Sequence, residues 1–469
     1  MPRVLLIAYH YPPRYSAGSM RPAALAKYLP ALGWDVTVFT AALPGGPRPP
    51  GRIIETEYQN VIWQWKSRFG LRPDHGLYQQ MHLALPDPNA RRLHNKIIDC
   101  AYSIIAFPDE YKGWVRFAEK ALAELPANQY PDVILSTSPP PCSNLIAAAA
   151  KRRFNRPWIA DFRDLWAGNL GASGHVINFL QARLERKTLV NADALITVSA
   201  PWASRLQARY PNKPVYAITN GFDPGDFEGV PRKLTSFFSI THTGYLYEGK
   251  RDPAPLFAAV RDLIAGGLIS KDDLRIRFYG QPQPWMPPRV KSYGLEEVVE
   301  IQGKVPRAEA LARQAESQVL LLLGWSDPRE TGQHTGKLFE YFGAERPILA
   351  VGGVRGVLGP TLEETKTGVQ VQSAEELRQF LLKAYREFKK TGSVSYNPDK
   401  EAVEQYTHER MARKFADVLN ATAGRNQAQV QRRRTAVTPY PKISPDSQTL
   451  TSATETFVGK VRPELTGPR

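Results

Sequence analysis

Short apolar segments alternate with helix-like segments along most of this chain, and the series starts a second time after residue 231. In the first series the predicted strands are 4–8, 35–40, 132–136, 158–161, 194–198 and 216–219, and the predicted helices are 19–32, 143–153 and 176–190. In the second series the predicted strands are 238–243, 274–279, 318–324 and 347–351, with helices at 255–263, at 307–316 and around Lys337. Alternation of this kind favours parallel sheets with helices on both faces. We therefore predict an α/β protein with two doubly wound domains.

The boundary between the two domains is expected at residues 220–231, where Gly, Pro and Asp cluster. A chain of 469 residues, of which 42% are hydrophobic, can supply two cores and a tail. We predict a first domain at 1–225, a second domain at 226–403 and a last helix at 404–419. Residues 425–469 contain Gln, Arg, Ser, Thr and Pro without an apolar period, which predicts a disordered basic tail.

Charge and cysteine content limit the compartment and the kind of partner. The formal net charge is +16. The positive charge that lies outside the tail suits phosphate-bearing substrates, nucleic acid or anionic lipid as partners. Cys100 and Cys142 form neither a metal-ligand pattern nor a disulfide framework, which fits a reducing cytosol. The first apolar stretch is too short for a signal sequence, and no apolar run could span a bilayer. We expect a cytoplasmic protein and leave peripheral contact with the inner face of the membrane open.

A helix-like segment at 91–106 has an apolar stripe beside Arg91, Arg92 and Lys96. Such a helix could face a membrane or an acceptor. An ordinary helix that packs its apolar stripe on the domain explains the pattern as well, and we favour that interpretation.

Residues 335–341 combine a helix start with a cation and a carboxylate. Thr335 is a predicted N-cap before Gly336, and a helix N-terminus binds phosphate because its free N–H groups point outward. Lys337 and Glu340 are three residues apart and share a helix face. Amides and a cation suit a diphosphate, and a carboxylate suits hydroxyl groups, so the segment favours a sugar nucleotide. The alternative is a capped surface helix with an ordinary Lys–Glu pair.

Two glycine loops follow predicted strands, where a doubly wound sheet places its ligands. Gly244 is followed by Lys250 and Arg251, which suits diphosphate binding without a metal, although a solvated basic turn is the alternative. Gly18 and Ser19 open a helix, so their amides could approach a phosphate or a sugar closely.

The segment 161–166 places two carboxylates around an arginine just after a strand. Asp161 is a candidate catalytic residue that would orient or deprotonate an acceptor hydroxyl, and Arg163 and Asp164 are candidates for the acceptor side. The alternative is a structural Arg–Asp pair that holds the loop. The chain has no Asp-x-Asp triplet, so we expect no metal site and no cofactor.

These motifs together resemble the family-four glycosyltransferases of the GT-B type, especially bacterial members of polysaccharide pathways. The matching segments are 12–21, 136–140, 161–166, 220–223, Gly244 with Lys250, and 336–341 with 347–349. The resemblance implies two Rossmann-like domains facing a cleft, with the donor nucleotide mainly in the second domain and the acceptor in the first. It also implies that helix 404–419 crosses back to the first domain and that transfer retains the anomeric configuration.

Carried over residue by residue, the resemblance implies that Lys250 and Arg251 hold the diphosphate, that Glu340 binds the ribose and that Gly18 lies by the donor phosphates. Two positions depart from the family pattern. Asp161 stands where many members carry a histidine near the reacting sugar. Gly332 stands where the first of two family glutamates would be, with Asp327 and Glu330 nearby, which leaves recognition of the donor hexose open.

The resulting hypothesis is a metal-independent enzyme that moves a sugar from a nucleotide donor to a hydroxyl of a glycan or lipid-linked acceptor. Lys250 and Glu340 are its main candidate catalytic residues. A sugar-nucleotide epimerase on the same fold is the first alternative, but no convincing acid–base pair is found. A protein that binds anionic ligands or membranes without catalysis is the second alternative. Nucleic acid is not expected as a partner, because the sequence lacks a recognised nucleic-acid module.

Overall fold

The computed structural model describes residues 1–14, 16–68, 70, 102–167, 175–325, 327 and 331–424. The predicted tail at 425–469 and most of the predicted helix 91–106 lie outside the described residues. Within the described ranges, every helix is too short or too polar to cross a bilayer.

The first sheet has seven parallel strands in the order β3-β2-β1-β4-β5-β6-β7. They are β1 (Arg3–Ala8), β2 (Asp35–Ala41), β3 (Arg52–Thr56), β4 (Val133–Ser138), β5 (Trp158–Phe162), β6 (Ala194–Thr197) and β7 (Val215–Ala217). Among the described residues, the helices of this half are α1 (Met20–Tyr28), α2 (Val61–Arg68), α3 (Val115–Glu124), α4 (Cys142–Phe154), α5 (His175–Leu189) and α6 (Ala200–Arg209).

Both faces of this sheet are buried, and alternate residues of β1 point to opposite cores. Leu5 and Ile7 pack in a cluster with Trp114 and residues of α4, whereas Val4 and Leu6 pack in a second cluster with residues of α1. This period of two is the geometry of a strand, and burial on both faces explains why residues 4–8 of β1 are continuously apolar.

The second sheet has six parallel strands in the order β10-β9-β8-β11-β12-β13. They are β8 (Phe238–Thr243), β9 (Leu274–Tyr279), β10 (Val299–Gly303), β11 (Val319–Gly324), β12 (Ile348–Gly352) and β13 (Gly368–Val371). Its helices are α7 (Ala254–Ala265), α8 (Met286–Ser292), α9 (Arg307–Ala315), α10 (Gly336–Ala344), α11 (Leu358–Thr365) and α12 (Ala374–Thr391), followed by α13 (Lys400–Glu404) and α14 (His408–Thr422).

The predicted fold class, two doubly wound parallel sheets, is confirmed. Two predicted helices differ in their bounds from the observed ones. Helix α1 ends at Tyr28 because Pro30 begins a separate 3₁₀ turn. The predicted last helix, 404–419, is observed as α14 (His408–Thr422), because α13 ends at Glu404 and the side chain of Thr407 caps α14 by accepting a hydrogen bond from the Arg410 amide at 3.3 Å.

The chain passes between the two sheets twice, and the two passages are bonded to each other. The amide of Phe222 donates to the Tyr406 carbonyl at 3.0 Å, and the amide of His408 donates to the Phe222 carbonyl at 2.7 Å. Gly221 is required here, because a Cβ atom at this position would lie 2.6 Å from the Tyr406 carbonyl oxygen. After this passage α14 packs on α1, where Phe415 joins the core of the first sheet.

Candidate functional site

The carboxyl ends of the two sheets meet at the loops after β6 and β11. Ser199 and Trp202 open α6, and Gly332 follows β11. A Cβ atom on Gly332 would lie 2.3 Å from Trp202 Cδ1 and 2.9 Å from Ser199 Oγ. The loops that end parallel strands therefore face one another across the molecule, which is where α/β folds bind their ligands.

Helix α10 begins as predicted at the mouth of the second sheet. Thr335 has extended backbone angles and its hydroxyl accepts a hydrogen bond from the Lys337 amide at 3.4 Å, so the predicted N-cap is confirmed. Leu338 and Phe342 are buried and hold the opposite face against the sheet. The first turn, which begins with Gly336, therefore points its free amides out of the core.

Lys337 and Glu340 form an ion pair on this first turn. Lys337 Nζ lies 2.5 Å from Glu340 Oε2, as their spacing predicted. Arg307 at the start of α9 donates to the other oxygen, Oε1, at 2.9 Å and also to Asp226 at 2.6 Å. Burial alone would raise the pKa of Glu340, but the charges of Lys337 and Arg307 outweigh it and hold that pKa below its usual value. Glu340 is thus an oriented carboxylate that stays ionised.

Gly244 lies directly against Lys337. Its φ angle is 145°, and a Cβ atom there would lie 3.3 Å from Lys337 Cε. Only glycine adopts this backbone conformation readily, and the missing side chain leaves the loop open beside the lysine. The sequence placed these two residues 93 positions apart in separate motifs, and the structure brings them together.

His242 lies beneath this contact and was not predicted to belong to the site. Its Nδ1 lies 3.0 Å from the Leu321 carbonyl, and its buried Nε2 has no hydrogen-bond partner among the described residues. Burial, with smaller contributions from Lys337 and Arg251, lowers the pKa of His242 to about 4, so the ring is neutral at pH 7. Because Lys337 and Arg251 both act on the His242 ring, Arg251 lies in the neighbourhood of Lys337.

Aromatic faces support the two cations of the Gly244 loop. Lys250 Nζ lies 4.4 Å from the ring centroid of Trp325, which follows β11, and the Arg251 guanidinium lies 5.3 Å from the ring of Tyr247. Trp325 is a further residue that the sequence analysis missed, because nothing in the local pattern links it to Lys250.

In the first domain, Gly18 and Arg163 lie together. A Cβ atom on Gly18 would lie 3.0 Å from Arg163 Nη1 and 3.1 Å from His10 Cδ2. Arg163 is buried and donates through Nη2 to the Pro139 carbonyl, whereas Nη1 has no hydrogen-bond partner in the described part of the chain. Burial lowers the pKa of Arg163 to about 10, which leaves it charged at pH 7. A buried cationic donor is therefore left open beside the Gly18 loop.

The predicted role of Asp161 gains no support from its geometry. Arg21 donates to both of its carboxylate oxygens, at 3.0 Å and 2.8 Å, and Thr137 donates to one of them at 2.8 Å. Asp161 is fully buried. The structural pair that we considered does exist, but its partner is Arg21 and not Arg163. Asp164 is the freer carboxylate of the segment, and burial raises its pKa against the opposing charge of Arg163.

The candidate residues thus fall into two groups. Gly244, Lys337 and Glu340 form the group on the second domain, with Lys250 and Arg251 in the adjoining loop. Gly18, Arg163 and Asp164 form the group on the first domain. Within the ranges that the structure describes there is no cluster of three or more residues of the types His, Cys, Asp and Glu that could hold a metal ion. Metal independence stays a prediction.

Comparison with known proteins supports this geometry at the level of fold. Glycosyltransferase-fold structures that resemble the chain include Anabaena HepE in complex with UDP and glucose (13% identity, 90% of this chain and 100% of that one, TM-score 0.55). A glycosyltransferase from Rickettsia africae also resembles the chain (14% identity, 90% of this chain and 98% of that one, TM-score 0.54). So does sucrose-phosphate synthase from Thermosynechococcus elongatus (15% identity, 93% of this chain and 100% of that one, TM-score 0.52). At these identities the likeness shows the fold alone.

No curated protein sequence matches the chain. Residues 18–221 match the family described as Glycosyl transferase 4-like domain. The match covers Gly18 and Arg163, which are the two residues that meet in the first domain. Residues 18–221 therefore carry the sequence pattern of a glycosyl transferase 4-like domain, as the motifs predicted, and the chain as a whole has the fold of the GT-B glycosyltransferases.

Proposed function

We propose that the protein transfers a sugar from a nucleotide-diphosphate donor to a hydroxyl of a glycan or lipid-linked acceptor in polysaccharide synthesis, with retention and without a metal. The observation that carries the proposal is the contact between Lys337, on the capped first turn of α10, and the open backbone of Gly244. This arrangement offers a cation and free amides to one diphosphate. The similar HepE structure contains UDP and glucose, which supports a nucleotide-sugar donor here.

Glu340 would bind the ribose hydroxyls. In the structure Lys337 occupies one of its oxygens and Arg307 the other. When Lys337 turns to the diphosphate, Oε2 becomes free to accept hydrogen bonds, while Arg307 keeps the carboxylate in place. Arg307 is therefore assigned a positioning role, because it acts on the nucleotide only through Glu340.

Lys250 and Arg251 would stabilise the diphosphate as it leaves. In the transfer the bond between the anomeric carbon and the phosphate oxygen breaks, and a bond to the acceptor oxygen forms. The leaving phosphate oxygen takes the proton of the acceptor hydroxyl. Negative charge therefore develops on the diphosphate, and fixed cations lower the energy of that state most. Moving Lys250 from the face of Trp325 to the phosphate would exchange a cation–π contact for an ion pair.

The acceptor would enter from the first domain, beside Gly18. Arg163 Nη1 is a charged donor without a hydrogen-bond partner in the described residues, and it faces this loop. An oxygen of the acceptor or of the donor phosphate would satisfy it and remove the cost of leaving a buried donor unpaired.

The proposal is tested with a panel of sugar nucleotides. A matching donor should raise the melting temperature, because it binds only the native protein, and should support transfer to an acceptor glycan. Lys337→Met and Glu340→Gln should each lower kcat/KM at least tenfold with little change in melting temperature. Glu375→Gln is the matched control, since Glu375 forms a similar ion pair with Arg378 three residues away on the exposed face of α12.

Three outcomes would contradict the proposal. Unchanged transfer in both site variants would refute the assigned roles. Isotope exchange into a sugar nucleotide in the absence of acceptor would indicate an epimerase in its place. Salt-sensitive binding of anions with no affinity for any sugar nucleotide would indicate a binding protein.

A further inference from the structure

The outer face of α5 has an apolar half and a basic half. Three large apolar side chains near its start are exposed: Val176 by 70%, Phe179 by 65% and Leu180 by 39%. Three basic side chains further along are also exposed: Arg183, Arg186 and Lys187. The spacing of three and four residues puts all six on one side of the helix. These six residues are called the α5 surface below.

The opposite side of α5 is firmly held, so the exposure does not come from a frayed helix. Gln181 accepts a hydrogen bond from the Trp166 indole at 2.6 Å and donates to the Pro108 carbonyl at 2.7 Å. Glu185 is fully buried and accepts from Arg209 and from the Tyr210 hydroxyl, each at 2.7 Å. The α5 surface is therefore a fixed part of the first domain.

The neighbouring segment adds to the apolar half. Ile104 is 60% exposed and lies four residues before Pro108, which the bond from Gln181 fixes beside α5. Ile104 belongs to the predicted helix 91–106, of which residues 102–106 are described. No ion pair joins Arg183, Arg186 or Lys187 to a carboxylate in the described residues, so their charges are available to a partner.

We propose that the α5 surface docks on an anionic lipid bilayer. At 1.5 Å per residue, the centres of the apolar and basic halves are about 10 Å apart along the helix. This is close to the depth of about 5–10 Å to which interfacial helices enter a bilayer. The helix would tilt its start into the acyl layer and hold its basic half among anionic headgroups. A nucleic acid would use the basic half alone and leave Val176 and Phe179 in water.

Docking in this way would bring the acceptor side of the cleft to the membrane. Trp166 and Ala167, in the loop that follows β5, are bonded to α5 through Gln181 and Glu185. The same loop carries Arg163 beside Gly18. A lipid-linked acceptor would then reach the site from the bilayer. This consequence rests on the proposed function, whereas docking itself does not.

Vesicle sedimentation of the full chain tests the proposal without donor or acceptor. The protein should sediment with vesicles of phosphatidylglycerol and phosphatidylcholine and remain in solution with phosphatidylcholine alone. Each basic residue near an anionic surface contributes about fivefold to binding. Reversal of all three charges, R183E with R186E and K187E, should therefore weaken binding about 100-fold or more. F179S with L180S should weaken it about tenfold or more, because apolar insertion is lost.

The matched control reverses three exposed charges of α12, K383E with R386E and K390E, which changes the net charge equally. It should retain most of the binding, and the basic tail is the same in every variant. Equal losses in the two charge-reversed proteins would show that binding follows net charge, and the proposal would fail. It would fail also if F179S with L180S bound like the parent, or if the parent bound no anionic vesicles. Because no sugar transfer is measured, these results stand apart from the test of the proposed function.

Discussion

Gly332 and Trp202 form a contact between the domains whose cost can be worked out from the structure. A methyl group on residue 332 would lie 2.3 Å from Trp202 Cδ1 and 2.6 Å from Nε1. Carbon atoms pack at about 3.5–4.0 Å, so the two loops would have to separate by about 1 Å or more. Overpacking of this kind costs about 1–3 kcal/mol. The cost falls on the approach of the two domains and not on the fold of either one.

Gly332→Ala should therefore lower the population of the closed arrangement about 5- to 150-fold, at about 1.4 kcal/mol per factor of ten. We expect a loss of this size in kcat/KM for transfer, with a nearly unchanged melting temperature. Trp202→Phe removes the ring that carries Cδ1 and Nε1, so the double variant should recover most of the lost activity. Such a double-mutant cycle isolates the contact.

Gly46→Ala is the matched control, since no atom lies within 4 Å of the position that its Cβ would take. If Gly332→Ala behaved like Gly46→Ala, the two loops would not need to meet during the reaction. If Trp202→Phe failed to rescue Gly332→Ala, the loss would have another origin. Either result would refute the reasoning.

Three further predictions concern charged and titratable side chains. Arg307→Met should raise the KM for the donor several-fold and change kcat less, because Glu340 loses its orienting partner. Steady-state kinetics check this, with Arg307→Lys as the conservative variant. Asp161→Asn should lower the free energy of unfolding by about 3–5 kcal/mol in urea titration, because the buried Arg21 is left unpaired; a value below 1 kcal/mol would contradict the structural role. Acid should destabilise the protein between pH 6.5 and 4. In that range histidines bind protons in the unfolded state, whereas three buried histidines of the folded state, with pKa values of about 4, stay neutral: His242, His334 and His408. Each lowers the free energy of unfolding by up to about 3 kcal/mol. Burial raises the pKa of Asp109 to about 6 and also raises the pKa of Asp164, and both shifts oppose this trend. Because two carboxyl groups oppose three histidines, stability measured by urea should still fall on acidification, and a flat profile would contradict it.

The sequence predicted best those features that depend on near neighbours along the chain. The restarted alternation of strands and helices predicted 238–243 and 274–279 as strands, and β8 and β9 occupy those residues. The spacing of Lys337 and Glu340 predicted their ion pair, because i and i+3 positions meet on any helix. By contrast β3 was missed, since it is an edge strand of which only Thr56 is buried and its pattern is mixed.

The parts of the site that sequence reasoning missed depend on partners far along the chain. Arg307 reaches Glu340 across 33 residues, and Arg21 reaches Asp161 across 140. A local pattern cannot choose between Arg21 and the adjacent Arg163 as the partner of Asp161, because only the sheet order brings α1 and β5 together. Trp202 and Gly332 meet for the same reason, and a lone glycine gives no sign that an indole occupies the space beside it.

The bonded pair of chain passages at Phe222 and Tyr406–His408 restricts how the protein can move. A single flexible linker would let the two domains change their relative position and orientation freely. Two backbone segments that are hydrogen-bonded side by side act as a hinge. Rotation of the two domains about these paired segments is a large motion that keeps both hydrogen bonds intact. Each time the domains open and close, the loops at the carboxyl ends of the two sheets should return to the same alignment. Substrates bound to opposite domains would therefore meet in a reproducible orientation.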